Sequence, residues 1–252
     1  MTKGVASQFV FLVLFALAIL YYLNEAKKGR KMWLRKIPAL DAVEEAIGRA
    51  AEMGKPVLYT PGLDAVEFPE TLAGLSFLPY VAKLTARYNV RLIEAQRDQV
   101  VYSIAEESIR QTYASEGKID QFNPTDVRVF PDRYGYISGM IGIIDQEEVA
   151  VNLMVGLFRA EALIFAEAGN RAGALQIAAS ADQQIPFFVA VCDYTMIGEE
   201  LYAASAYVSD DERQKGIILA QDLGKWLISG IILIGAVLET CGVDSFTNLM
   251  KM

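Results

Sequence analysis

Val57–Gly62 reads VLYTPG, a short apolar run of strand-forming residues that stops at the turn pair Pro61-Gly62. Before it, Leu40, Val43 and Ile47 recur at helical spacing in LDAVEEAIGRAAEM. Glu45 and Arg49 form an i,i+4 pair there, and Gly54 stands as the stop. After it come a predicted helix over Leu72–Tyr88, a strand at Val90–Glu94 (VRLIE) and a helix from about Asp98. The inner face of that last helix is read as Val101, Ile104, Ala105, Ser108 and Thr112. The alternation continues with a strand at Val127–Phe130, a Gly-rich helix from about Tyr136 and a strand at Ala150–Gly156. A helix over Ala160–Ala168 follows, with Gly169 as its stop. Ala174–Ala178 and Phe187–Val191 read as two further strands, and Ile197, Leu201, Ala204 and Val208 mark a last helix. Continuously apolar strands separated by helices predict an α/β domain over residues 37–215. Its sheet is a single open one, parallel or mostly parallel, with helices on both faces.

The flanks are of a different kind. Phe9–Leu23 is fifteen apolar or aromatic residues; counted from Val5, with only Ser7 and Gln8 polar, the run is nineteen, which span roughly 28 Å as a helix, about one hydrocarbon core. A cleaved signal peptide carries its charges before the apolar run. Here Lys3 alone precedes it, whereas Lys27, Lys28, Arg30, Lys31, Arg35 and Lys36 follow, with Trp33 among them. Residues 1–36 therefore read as an uncleaved transmembrane anchor with a basic collar. Cations resist translocation, so the N-terminus is expected outside and the α/β domain in the cytoplasm, at the cell membrane. Residues 24–36 hold these six cations against Glu25, a net +5, and leave −13 on everything else. An acidic body on a basic collar should stand off an anionic membrane.

Trp226–Leu238 is thirteen residues without a charge, short for a span. Counting from Gly216 gives twenty-three, including Asp222 and Lys225, which can pair at i,i+3. Counting forward to Val243 gives eighteen, with Glu239 inside. The expectation is a second transmembrane helix in residues 216–252 that leaves Asp244–Met252 outside; the alternative is a buried amphipathic core helix.

Composition excludes much chemistry. The 252 residues are 53% hydrophobic and 21% charged, with a net charge of −8, which argues against a nucleic-acid partner. Histidine is absent, so His-based triads, bases and metal sites are excluded; Cys192 and Cys241 cannot build a four-cysteine zinc site. No phosphate-loop motif occurs, and Gly135, Gly139 and Gly142 depart from the dinucleotide fingerprint. No cofactor is expected.

Open parallel sheets take ligands beyond the carboxyl ends of their strands. The polar residues placed there are Thr60, Gln96, Asp98, Asp132, Ser180 and Asp193, beside Arg97, Arg133 and Arg159. The same residue types serve as caps and turn formers, as expected of Asp98 and Asp193 at helix starts. Cys192 reads as a small core residue ending a strand. The carboxylate pair Glu199-Glu200 lies early in a helix, where the dipole favours it.

The stretches KPVLYTPGLDAVEFPETLAGL (55–75), AEAGNRAGALQIA (166–178) and QIPFFVAVCDYTMIGEELYAASAY (184–207) resemble those of an uncharacterised family of prokaryotic membrane-anchored proteins. The resemblance covers nearly the whole chain and implies an N-terminal anchor and a late hydrophobic segment. It implies no activity, cofactor or catalytic residue. Two function classes remain: a self-associating scaffold, with the bilayer, further copies and other membrane proteins as partners, or a module binding a small metabolite or nucleotide at the strand ends. A crevice filled by side chains favours the first; an open polar crevice favours the second.

Overall fold

The run VLYTPG forms strand β1 (Val57–Gly62), buried at all six positions. Five strands follow: β2 (Leu92–Gln96), β3 (Val127–Val129), β4 (Val151–Leu157), β5 (Leu175–Ser180) and β6 (Tyr194–Ile197). They form one sheet in the order β3-β2-β1-β4-β5-β6, with every neighbouring pair parallel. The computed structural model describes residues 5–27, 37–209 and 212–240. It divides into two units, Arg35–Ser209 and the combined ends Met1–Leu34 and Asp210–Met252.

In the first unit the sheet is covered on both faces, as strands buried along their length require. On one face lie α2 (Pro38–Met53), α3 (Pro69–Tyr88), α4 (Gln99–Ser115) and α8 (Glu199–Val208), packed on Val57, Tyr59, Leu92, Leu153 and Ile177. On the other lie α5 (Arg133–Gln146), α6 (Glu161–Ala172) and α7 (Ile185–Val191), packed on Leu58, Ile93, Met154 and Ala178. Successive strand residues thus feed opposite cores, which is the period-two alternation of a pleated strand.

Helix ends follow local chemistry. Pro38 and Pro69 open α2 and α3, where a missing N–H costs nothing. Gly54 closes α2 and Gly173 closes α6, both in the left-handed region. Four expectations are corrected. Phe187–Val191 is helix α7, not a strand; a short apolar run fits either, and Pro186 in its first turn favours the helix. The strand comes after it, at Tyr194–Ile197, so Ile197 belongs to β6 and not to the last helix. Gly169 lies inside α6 rather than ending it, because the bare backbone admits the Gln176 side chain. On α4 the buried stripe is Val101, Ala105, Ile109 and Tyr113, while Ile104 faces solvent.

The second unit contains α1 (Val5–Lys27) and α9 (Glu212–Thr240). Within α9, the 25 residues Arg213–Val237 are long and apolar enough to cross a bilayer; in α1 the corresponding apolar stretch is shorter, Leu12–Tyr22. The two helices pack together where Gly224 meets the Phe15 ring, and Asp222 pairs with Lys225 at 3.2 Å as their spacing predicts. Lys28–Lys36, Trp33 included, and the tail from Cys241 lie outside the described residues.

Strands β1 and β4 approach so closely at their carboxyl ends that both carry a glycine with positive φ, Gly62 (100°) and Gly156 (151°). A methyl on Gly62 would overlap the Leu157 carbonyl, and one on Gly156 the Pro61 carbonyl. Gly62→Ala or Gly156→Ala is expected to cost about 3 kcal/mol or more, combining overpacking with backbone strain. Gly48→Ala, in open space on α2, should instead gain about 0.5–1 kcal/mol. Denaturant unfolding of the three variants checks the contrast.

Candidate functional site

The strand order reverses between β1 and β4, the switch point at which doubly wound sheets bind ligands. Here the point is closed. Leu63 N–H donates to the Leu157 carbonyl at 3.0 Å, continuing the β1–β4 pairing beyond the register shift at Gly62. Above it, Arg159 holds Asp64 through Nε (3.0 Å) and Nη2 (2.8 Å), tying the loop after β1 to the loop after β4. Arg97, at the end of β2, donates from Nε to the Leu63 carbonyl at 3.0 Å. Glu161 is buried at the start of α6, accepting from Arg133 Nη2 (3.1 Å) and from the Arg159 backbone N–H (2.8 Å). The ion pairs are half exposed on the arginine side, so each contributes about 1 kcal/mol or less. Their effect is mainly geometric: three loops and two helix starts become one strap.

Beneath the strap, Thr60 Oγ1 and the Tyr136 hydroxyl are 2.6 Å apart, and Gly62 N–H donates to Thr60 Oγ1 at 3.1 Å. Burial pushes the Tyr136 phenol upward, against a smaller opposing effect of the Thr60 hydrogen bond. Tyr136 is therefore held neutral. Glu94, fully buried on β2, is also pushed well above the usual carboxylate range by desolvation. With its amide nitrogen turned toward Glu94, Gln96 donates to that carboxyl, and its carbonyl oxygen accepts from Tyr102 N–H at 3.1 Å.

The structure separates the residues that the sequence grouped. Thr60 points to the α5–α6 core and Gln96 toward the α4 side of the sheet, on opposite faces. Asp98 caps α4 through Val100 and Val101 N–H (2.9 and 3.0 Å), and Asp132 caps α5 through Gly135 N–H (2.8 Å). Ser180 is buried at the end of β5 and accepts from Asp182 N–H at 3.4 Å. Asp193 is at the wrong end: it precedes β6 and accepts from Gln176 N–H at 2.7 Å, near the start of β5. It caps no helix, because the helix expected after it is a strand.

Cys192 ends α7, not a strand, and burial pushes its thiol up to about 12, with Asp193 adding to the shift. It is a poor nucleophile at neutral pH. Glu200 turns back to accept from Ile197 N–H at 3.1 Å, a capping role. On α5, Gly139 leaves room for the Phe130 ring.

Asp64, Glu94, Tyr136 and Glu161 were not singled out in the sequence. Glu94 carried a readable signal, a carboxylate at the end of the apolar run VRLIE. Asp64 and Glu161 carried none, since their arginine partners lie 95 and 28 residues away.

Two predictions follow from these environments. A carboxyl whose folded pKa is raised favours the folded state below its unfolded value, about 4.3, and loses that advantage as pH rises toward the folded pKa. Glu94→Gln should therefore melt close to the parent near pH 4 and above it at pH 8, measured by thermal denaturation across pH. Asp98→Asn and Asp132→Asn should each cost well under about 1 kcal/mol, since Asn caps nearly as well as Asp. Chemical denaturation reads that difference.

No curated protein and no solved structure matches the chain. A family defined by a domain of unknown function, DUF6754, matches residues 2–250, nearly the full length, and the chain belongs to that family.

Proposed function

We propose that the protein is a membrane-anchored, self-associating scaffold whose α/β domain lies in the cytoplasm. The observation that carries this reading is the strapped switch point. The place where a doubly wound sheet takes a small ligand is occupied by β1–β4 backbone pairing and by the Asp64–Arg159 and Glu161–Arg133 pairs. A ligand there would have to break a backbone hydrogen bond and two charge pairs before making contacts of its own. Such a crevice is built for rigidity.

The anchor reading is supported by α9, apolar over a bilayer's thickness, and by the close approach of α1 to it at Gly224. Small residues allow close helix contact in membranes, where packing rather than the hydrophobic effect drives association. In this proposal both helices cross the cell membrane, and the cations from Lys27 to Lys36 keep the body inside. Anchoring orients every copy alike and concentrates the copies in two dimensions, which favours cyclic or lateral assembly with further copies or with other membrane proteins.

The test uses full-length protein in native membrane particles. Particles larger than one copy are expected by mass measurement, and a monomer under all mild conditions would sink the scaffold reading. With Cys192 and Cys241 changed to Ser, Thr2→Cys should react with an impermeant thiol reagent in intact cells while Asp120→Cys stays protected. The reverse pattern would overturn the orientation.

A further inference from the structure

The segment of residues 116–126 and the C-terminal half of α4 flank a half-open cavity of about 330 Å³ at the amino ends of β2 and β3, opposite the strap. Small-molecule pockets run from about 300 to 1,000 Å³, so this one suits a single or fused ring and is too small for a dinucleotide. Its floor is apolar and aromatic: Ile109 and Tyr113 are buried, and Phe122 stands edge-on to Tyr113 with ring centroids 6.4 Å apart.

Three carboxamides line the same cavity, and each spends one end on the protein. Asn89 Oδ1 accepts from Lys118 Nζ (2.8 Å) and Gln121 Nε2 (2.9 Å), while Asn123 Oδ1 accepts from Thr125 N–H (3.2 Å) and its hydroxyl (2.9 Å). Those bonds fix which end of each amide remains. Asn89 Nδ2, Gln121 Oε1 and Asn123 Nδ2 make no hydrogen bond among the described residues and stand exposed at the cavity's rim, leaving two donor groups and one acceptor there. Asn89 is itself held in the left-handed region at the end of α3 (φ 55°). The lining charges cancel: Arg91 binds Asp126 through Nε at 3.1 and 3.0 Å and also reaches Glu147 at 2.7 Å.

An aromatic floor, a mixed donor and acceptor rim and lining charges that cancel suit one class of ligand; the one cation beside the rim, Lys118, is spent on Asn89 Oδ1. We propose that this cavity binds a neutral, planar, hydrogen-bonding ring of the nucleobase type. Its plane lies on the Phe122 and Tyr113 side and its polar edge meets the three carboxamides. The proposal is independent of the scaffold reading, since the cavity shares no residue with the strap.

The probes are adenosine, cytidine and nicotinamide, with benzoate and spermidine as charged comparators, titrated against the full chain in detergent by calorimetry. At least one neutral ring should bind more tightly than either comparator. Gln121→Ala and Asn123→Ala should each weaken it about two- to tenfold, the loss of one hydrogen bond, with the melting temperature of the unliganded protein unchanged in Gln121→Ala and only slightly lowered in Asn123→Ala, which also loses its Thr125 cap. On the unaltered chain, photolysis with 8-azidoadenosine should label residues within 89–92 or 109–127, read by mass spectrometry. Binding equal to that of benzoate, variants that bind like the parent, labelling elsewhere, or no binding by any neutral probe would overturn the proposal.

Discussion

The contact between β1 and β4 at Gly62 and Gly156 is the constraint on which the domain rests. Each strand presents a bare backbone to a carbonyl of the other, and a third glycine, Gly74 on α3, meets the Val155 carbonyl on the same strand. No side chain fits in these three places. The central strands can therefore approach beyond a regular ladder, and the pairing runs on to Leu63 and Leu157. That extension closes the switch point, and the arginine pairs then have two loops near enough to tie. The same contacts hold the centre of the sheet and bridge its switch point.

Polar groups inside the two cores follow from the same architecture. A parallel sheet covered on both faces leaves its strands dry, so any polar side chain on them needs a partner from its own neighbourhood. Thr60 finds Tyr136, and Glu94 finds Gln96. Near the other end, Gln176 donates to the Ala166 carbonyl at 2.8 Å and accepts from Asn152 Nδ2 at 3.2 Å, through the gap that Gly169 leaves. These pairs are buried and joined by short-range bonds, as buried polar groups usually are, with Asn152 Oδ1 the one oxygen among them left without a partner among the described residues.

The two terminal helices solve a different problem. In α9 the polar residues sit toward its start, with Asp222 and Lys225 paired, and the later turns expose Ile232, Leu233, Ile234 and Val237. Exposed apolar side chains along a 29-residue helix are costly in water and favourable in hydrocarbon. Gly224 removes bulk where the Phe15 ring must fit, so the pair can pack without a hydrophobic drive between its members.

The chain's own residues were enough to establish the alternating α/β order, the parallel sheet with helices on both faces and the late apolar helix, because each rests on local periodicity and turn chemistry. The caps at Asp98 and Asp132 were equally local. Tertiary structure decided what depends on distant partners. Phe187–Val191 is helical because a short apolar run has no period of its own to settle the matter. Asp193 lies at the amino end of β6 because that helix moved the strand past it. Asp64 and Glu161 became the strap's anchors because folding brought Arg159 and Arg133 to them across long loops of sequence, and no spacing along the chain encodes that meeting.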